Sequence, residues 1–296
     1  MSVDLIEGQS ESASPDSIRH RLNRLLRSAG ASLGAVVMVG LLAAALLAGV
    51  IAPADPNLQE LSGRLQEPGS GGHLLGSDQL GRDILSRLIY GSRVSILVGL
   101  GAATLSAVIG VAIGLVSGFR RGRLDAFLSW LSNVQLSFPF ILLAIAVVGA
   151  LGPGLKNVIL VLGLTGWVVF ARLARGDTLS ASQRDYVLAA RALGASDLRL
   201  MARHILPNIL SPLIVVFTFE VARMIIAEAS LSFLGLGVEP RIVSWGSMLA
   251  DGRQYLDSAW WLATLPGLAI VITVLGINLL GDWLRDELDP RRRGLG

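Results

Sequence analysis

Three charged side chains inside one long apolar stretch are the residues of this chain best suited to chemistry within a membrane. Glu220, Arg223 and Glu228 lie between residues 209 and 234, among mostly apolar neighbours. A charge at the centre of a transmembrane helix costs about 2.5 to 3.5 kcal/mol on insertion scales. Glu220 and Arg223 are three residues apart and share a helical face, so they either compensate each other or line a polar path. Glu228 lies near the end of the stretch, where it could meet water or a neighbouring loop.

Residues for other catalytic chemistry are scarce. The chain has no cysteine, and His20, His73 and His204 are dispersed, so the sequence offers no thiol nucleophile and no soft-ligand metal cluster. An ATP-binding P-loop needs a lysine after a glycine-rich run, whereas the only lysine here is Lys156, which follows Leu155. We therefore expect no catalytic residue, no metal site and no cofactor in this chain.

Composition indicates an integral membrane protein. Hydrophobic residues make up 52% of the 296 residues, charged residues 16%, and the mean hydropathy is +0.62. The 34 glycines fit close helix packing in lipid, and they fit loops equally well. The expected fold is an all-α integral membrane domain with about six transmembrane helices, because six stretches can cross about 30 Å of hydrocarbon. They lie near residues 29–52, 94–118, 126–150, 155–172, 209–234 and 259–282.

The distribution of basic residues predicts the orientation. With the amino terminus inside, the cytoplasmic segments hold seventeen of the 25 Lys and Arg residues, the opposite segments hold seven, and Arg223 lies within a span. Short cytoplasmic loops carry the excess of Lys and Arg, so both termini are expected in the cytoplasm. The first span is too long for a signal peptide core and is expected to be retained. The same asymmetry explains the net charge of +3, so the sequence does not call for a nucleic acid partner.

The stretch from Asp185 to Asn208, here called the elbow, has the pattern of two short helices between two spans. Ser182 and Asp185 have the spacing of a capping box, and Gly194 can take the left-handed conformation that ends a helix. Ser196 and Asp197 suit the start of a second helix, which Pro207 is expected to limit. A folded cytoplasmic elbow suggests a docking partner, and an amphipathic helix on the lipid surface is the alternative.

The elbow resembles the cytoplasmic loop of ABC importer permeases, whose motif is Glu-Ala-Ala, three residues, Gly, nine residues, then Ile-x-Leu-Pro. Two positions depart, because Leu188 replaces the usual Glu and His204 the usual Ile. The resemblance implies a cytoplasmic coupling helix between spans four and five that docks on an ATPase. The matching positions are Ala189, Ala190, Gly194, Leu206 and Pro207, and the expected coupling residues are Tyr186, Ala189, Ala190, Leu193, Gly194 and Ala195.

Two further segments resemble the C-type permease subunits of the dipeptide, oligopeptide and nickel importers. The run HLLGSDQLGRD from His73 is similar to that family's His-Pro-Leu-Gly-Thr-Asp-Glu-Leu-Gly-Arg-Asp signature, with Leu74 and Gln79 departing. The passage from Glu228 to Leu256 and the tail from Leu280 are the most family-specific parts. The family places its outer segments near the solute-binding protein or the gate. The residues expected there are Asp78, Arg82, Asp83, Trp245 and Asp251.

These features predict the organisation of the chain. A cytoplasmic segment, a first transmembrane helix and an extracytoplasmic segment are followed by a permease core of five helices and a cytoplasmic tail. Their ranges are 1–28, 29–52, 53–93, 94–283 and 284–296, with a coupling loop at 173–208 and an external loop at 235–258.

The resemblance implies the permease subunit of an ATP-driven importer in a prokaryotic cytoplasmic membrane. Its expected partners are a second homologous permease, two cytosolic ATPase subunits or domains that bind ATP and magnesium, an extracytoplasmic solute-binding protein and membrane lipid. Short peptides are the expected cargo, with nickel chelates or another small solute as alternatives.

Two other classes stay open at this point. An ion-coupled secondary transporter would carry ionisable groups at mid-membrane or repeated broken helices. An intramembrane enzyme would need a nucleophile and a base, or a metal set, that come together. Prolines 139, 212 and 266 could kink spans in a moving gate, or equally in a static bundle.

Overall fold

The computed structural model describes Leu25 and residues 28–288. Most of the expected amino-terminal segment and the basic tail beyond Leu288 lie outside the described residues. Within that part of the chain nearly all regular structure is helical, and the only β-type pairings are two isolated bridges, Ser70 with His73 and Ser77 with Asp83. The expectation of an all-α fold is confirmed.

Nine helices, numbered here α1 to α9, follow one another in the described residues. Short 3-10 turns occur at Leu61–Gly63 and Arg253–Tyr255. The helices are α1 Ala29–Ile51, α2 Ile84–Arg120, α3 Gly122–Leu136, α4 Phe140–Leu151, α5 Leu155–Ala181, α6 Asp185–Ala192, α7 Asp197–Phe233, α8 Trp245–Gly252 and α9 Trp261–Leu288.

Five of the described helices are long and apolar enough to cross a membrane, namely α1, α2, α5, α7 and α9. The stretch 126–150, predicted as one span that Pro139 could kink, is the pair α3 and α4, which meet at an angle of 85°. Pro139 caps α4 and lacks a backbone N–H, and it disfavours a helical conformation at Phe138, so the helix breaks there. Counting this pair as one span gives the six that the sequence predicts.

Helix α2 begins ten residues before the predicted boundary at residue 94. The Asp83 carboxylate accepts hydrogen bonds from the backbone N–H of Ser86 at 2.8 Å and from its hydroxyl at 2.7 Å, which fixes the helix start. The segment predicted as 53–93 is therefore helical from Ile84 onward. The polar residues of this first part of α2 misled the prediction, because most of them are buried against the preceding loop rather than exposed.

The centre of the bundle is formed by α2, α5 and α7, and α9 packs against α7 and α1. Along the contact between α2 and α5, Gly110, Gly114 and Gly118 lie against the backbone carbonyls of Trp167, Ala171 and Arg175. Small residues at a spacing of four let two helix backbones approach closely. These three glycines therefore allow close helix packing, which is one of the two interpretations of the many glycines in the sequence.

Candidate functional site

The chain has two distinct ends along the bundle. The elbow end carries the elbow and the corner between α2 and α3, where the Arg121 guanidinium donates a hydrogen bond to the Ser182 hydroxyl at 3.3 Å. The loop end carries residues 52–83 and 234–260, which flank the starts of α2 and α9. Each end holds a different set of predicted site residues.

The elbow is anchored by an apolar core of its own. Val187 of α6 is fully buried and packs with Leu200 and Ile205 of α7 and with Phe170 and Ala174 of α5. Arg191 adds a second anchor, because its guanidinium lies 5.2 Å from the centre of the Phe119 ring at the end of α2. The elbow is thus tied to three long helices.

Gly194 ends α6 in the left-handed conformation that the sequence predicts. Its φ is +83°, a value that costs a residue with a Cβ atom free energy. The N–H of Ala195 bonds to the carbonyl of Ala190, and the N–H of Gly194 bonds to that of Arg191, which is the Schellman arrangement. The turn therefore ends α6 within an exposed stretch, residues 191–194.

Two predictions about the elbow are wrong. Ser182 and Asp185 form no capping box, because the Ser182 hydroxyl instead donates to the carbonyl of Leu179 and ends α5. Pro207 does not limit the second helix. A π-helical turn over Leu200–Ile205 wraps the chain more widely, and the helix that starts at Asp197 continues to Phe233.

The tip of the elbow exposes an apolar knob. Leu193 is 89% exposed, Tyr186 and Leu188 are also exposed, and Ala189 and Gly194 lie at the surface between them. Ala190 and Ala195 are partly buried beneath the tip. Four of the six predicted coupling residues are therefore exposed and two are partly buried, and their contact with an ATPase stays a prediction.

The loop end holds a buried network of opposite charges. Asp78 accepts from the Arg82 side chain at 2.5 Å and from the Arg82 backbone at 2.9 Å, and it lies 3.6 Å from Arg87. Both arginines also reach Asp251 of α8, at 3.4 and 3.5 Å. Asp78, Arg82 and Arg87 are buried, whereas the Asp251 side chain is 43% exposed. Of this network, Asp251 is the member that a partner could touch.

His73 and Asp83 belong to the same folded loop. Nδ1 of His73 lies 2.9 Å from Oδ1 of Asp83, whose other oxygen caps α2. Gly81 has a φ of +73°, and a Cβ atom there would overlap the carbonyl of Glu60. The signature residues from His73 to Asp83 therefore build the turn that joins residues 52–83 to α2.

Trp245 and Glu228 hold α8 against the bundle. The buried Trp245 indole donates to the carbonyl of Leu88 at 3.0 Å. Oε1 of Glu228 accepts from the hydroxyls of Ser232 and Ser244 at 2.7 and 2.8 Å, and Oε2 is buried and has no hydrogen-bond partner among the residues that the structure describes. Both side chains are buried and hold α8 in place, and their predicted roles, Trp245 near the binding protein or gate and Glu228 in the pathway, stay predictions.

Glu220 and Arg223 form the ion pair that their spacing allows. The shortest contact, between Nη2 of Arg223 and Oε2 of Glu220, is 2.5 Å. The Arg223 guanidinium also lies 4.1 Å from the centre of the Phe140 ring, the first residue of α4 after the bend. Glu220 is buried, but the Arg223 side chain is 34% exposed. Mutual compensation is present, and a pathway role stays a prediction.

A polar hollow near the elbow end was missed in the sequence. It has a volume of about 350 Å³ and lies between α2, α3 and α5. Arg175 lines this hollow, and its Nε and Nη2 donate to the carboxylate of Asp125 at 2.6 and 2.7 Å. The sequence indicates this site only through Asp125, an acidic residue in the first turn of α3. Its partner Arg175 lies fifty residues away, so no local pattern identifies the pair.

Arg87 was also missed, because the predicted helix boundary placed it outside the span. Gln135 of α3 was missed as well, because its neighbours in the sequence are mostly apolar. Its side chain donates to the carbonyl of Thr165 and accepts from the Trp167 indole. Across Leu25 and residues 28–288, no three His, Asp or Glu side chains come together as a metal site.

Long apolar helices, small-residue packing and a paired charge inside an apolar helix define a multi-pass α-helical membrane protein. The model of one family, described as binding-protein-dependent transport system inner membrane component, matches residues 110–294. The chain belongs to this family. The family is a membrane permease component of ABC transporters rather than a catalytic one.

Curated relatives match over almost the whole chain. A putative peptide transport system permease protein of Brucella suis is 47% identical over 268 residues, 90% of each chain. The di/tripeptide transport system permease protein of Pseudomonas aeruginosa is 42% identical, over 94% of this chain and 93% of the relative. A glutathione transport system permease protein of Pectobacterium atrosepticum is 41% identical, over 90% and 89%.

The fold also resembles a solved structure. A chain of the MetNI methionine ABC transporter, in an inward facing conformation, superposes with a TM-score of 0.57 at 21% identity. The match covers 69% of this chain and 96% of that chain. At 21% sequence identity, this similarity shows a shared fold only.

Proposed function

We propose that this chain is one of two membrane subunits of an ATP-driven importer for short peptides, and that ATPase subunits drive it through the elbow. The observation that carries the proposal is the elbow tip, an exposed apolar knob on a segment anchored to α2, α5 and α7. An exposed leucine at the tip of a rigid turn suits a groove on another protein.

The cargo is proposed from the relatives. Their names specify peptides, di- and tripeptides and glutathione. The names of these relatives do not favour nickel chelates or other small solutes as cargo, and the family description does not favour an ion-coupled transporter. Uptake of a labelled dipeptide, measured beside uptake of a nickel chelate, separates the two cargoes.

The proposed assembly contains a second homologous permease, two cytosolic ATPase subunits that bind ATP and magnesium, and a solute-binding protein. The elbow end faces the cytoplasm, as the excess of Lys and Arg indicates, and both termini are on that side. The loop end then faces outward, where Asp251 is exposed to the solute-binding protein. ATP hydrolysis takes place in the partners, and this chain converts their movement into a change of access.

A bulky residue at Gly194 tests the proposal. Gly194→Leu forces a branched side chain into left-handed backbone, although a Cβ atom there meets nothing within 4 Å. We expect loss of ATP-driven peptide uptake and of ATPase co-purification, with normal amounts of the chain in the membrane. Gly152→Leu is the matched control, because Gly152 has a φ of +86° and equally open surroundings at the loop end. It should retain the ATPases.

Normal ATP-driven uptake by Gly194→Leu would contradict the proposed coupling. Loss of ATPase co-purification in both variants would show that backbone strain alone explains the defect.

A further inference from the structure

One face of α7 carries two hollows in succession. Towards the elbow end, a hollow of about 540 Å³ is lined by Asn208, Pro212, Val215 and Phe219, with Arg285 of α9 opposite. Towards the loop end, a hollow of about 490 Å³ is lined by Ile226, Ser230 and Phe233, with Leu249 and Ile270 opposite. The α7 residues of both hollows follow a spacing of three and four, which places them on one helical face.

Arg223 lies on this face between the two hollows. It is four residues after Phe219 and three before Ile226, so it continues the same stripe. Within residues 220–225 every side chain except that of Arg223 is buried. Arg223 does not line either hollow itself; its position along the helix lies between them, and its guanidinium lies beside Phe140 of α4 and Gly166 of α5.

The surroundings of Arg223 favour water over lipid on this face. The side chain is 34% exposed, and within the described part of the chain Nη1 donates no hydrogen bond, since Glu220 accepts only from Nε and Nη2. Charged side chains in membrane helices face a bundle interior or a water-filled cavity, because hydrocarbon satisfies none of their donors. The stripe from Asn208 to Phe233 is mostly apolar, so a groove that holds water is inferred from Arg223 alone.

The geometry points to a solute-contact point at Arg223, where the free edge of its guanidinium receives the carboxylate of a passing peptide. This inference rests on the proposed function and names the chemical group that the site takes. A guanidinium presents planar donors that match a carboxylate. Glu220 already offsets part of the charge, which weakens the contact and lets the solute leave again.

The Phe140 ring makes the same contact point sensitive to the bend between α3 and α4. Its stacking on Arg223 links the end of the broken span to the groove. Movement of α4 would therefore change how much of the guanidinium the groove exposes.

The absence of cysteine allows a direct test in the complete transporter in membrane vesicles. Ile226→Cys places a thiol one turn from Arg223, on a side chain that is 47% exposed. Its reaction rates with an anionic sulfonatoethyl thiosulfonate and a cationic trimethylammonioethyl thiosulfonate are compared, each relative to a free thiol. Following this chain alone on a gel excludes thiols of partner subunits.

We expect the anionic reagent to be favoured, and Arg223→Gln to lower the anionic-to-cationic ratio about tenfold. The factor of about ten is the Coulomb effect of removing one unit charge about 6 Å from the thiol in water, because that charge attracts the anionic reagent and repels the cationic one. Arg223→Lys should keep the ratio, and Glu220→Gln should raise it. Val39→Cys, on α1 and 67% exposed, is the lipid-facing control and should react with neither reagent.

An unreactive Ile226→Cys would mean that lipid or a partner subunit covers the face, and it would overturn the inference. A ratio unchanged by both Arg223→Gln and Glu220→Gln would overturn the carboxylate contact. If Arg223→Gln does not accumulate in membranes, Glu220→Gln and Arg223→Lys decide the result. A parent complex that still takes up peptide leaves the proposed function intact in each case, whereas a parent without ATP-driven uptake contradicts the proposed function itself.

Discussion

The contact between α2 and α5 allows a stability prediction worked directly from distances. A methyl group at Gly114 would lie 2.3 Å from the carbonyl oxygen of Ala171 and 2.8 Å from the Cβ of Ala174. Ordinary contact begins at 3.4 Å, so Gly114→Ala requires the two helices to separate locally by about 1 Å. The obstacle is backbone within a helix, which cannot rotate aside as a side chain can.

Such overpacking typically costs about 1 to 3 kcal/mol. Alanine is also the better helix former by about 1 kcal/mol, which would hide part of the loss. Gly176→Ala removes this ambiguity, because Gly176 lies in α5 and a Cβ atom there meets nothing within 4 Å. The difference between the two variants therefore reports the packing cost alone.

The measurement is the free energy of unfolding of the purified chain in mixed micelles, followed by helical circular dichroism against increasing denaturing detergent. We expect Gly114→Ala to be less stable than Gly176→Ala by about 1 to 3 kcal/mol. Equal stabilities would refute the reasoning, because they would mean that α2 and α5 do not pack at the observed distance.

Two further predictions concern carboxylates at the loop end. Glu228→Ala should lower the free energy of unfolding by about 2 to 4 kcal/mol in the same assay. Glu228→Gln should lower it less, because the amide oxygen can still accept from Ser232 and Ser244. Equal losses in the two variants would contradict this. Hydrogen bonds to Glu239 from its own backbone and from the N–H of Leu155 lower the pKa of Glu239 below its ordinary value of 4.5. The stabilisation is therefore present above that value and is lost as pH falls through the lowered pKa, so hydrogen exchange at Leu155, corrected for its intrinsic rate, should rise on acidification below about pH 4.5. Glu239→Gln should abolish this pH dependence, and an unchanged profile would count against the contact.

The features that the sequence predicted well depend on local chemistry. A residue in the left-handed conformation must follow α6 if the chain is to reverse. Glycine adopts that conformation with the least strain, and Gly194 does so here. Apolar length alone identifies the spans, because hydrocarbon thickness sets the number of helical residues. The pairing of Glu220 with Arg223 also follows from a spacing of three on one helix.

The features that it missed depend on partners distant in the chain. Pro139 indicates a kink, but the 85° bend goes with contacts such as Gln135 with Thr165 and Phe140 with Arg223. Arg87 is tolerated near the start of a span because Asp78 and Asp251, from two other segments, compensate its charge. The pattern of residues within α2 does not predict either of these two partners.

The continuity of α7 has the largest consequence for the proposed coupling. Had Pro207 ended the second elbow helix, a flexible joint would separate the elbow from the span. Instead the π-helical turn carries the helix past Pro207, and α7 runs for 37 residues, or about 55 Å. Its first turns pack on Val187 of the elbow, and its far end holds α8 through Glu228. The helix that begins in the elbow therefore also carries Arg223 and holds α8 at the loop end, so the proposed coupling needs no joint at Pro207.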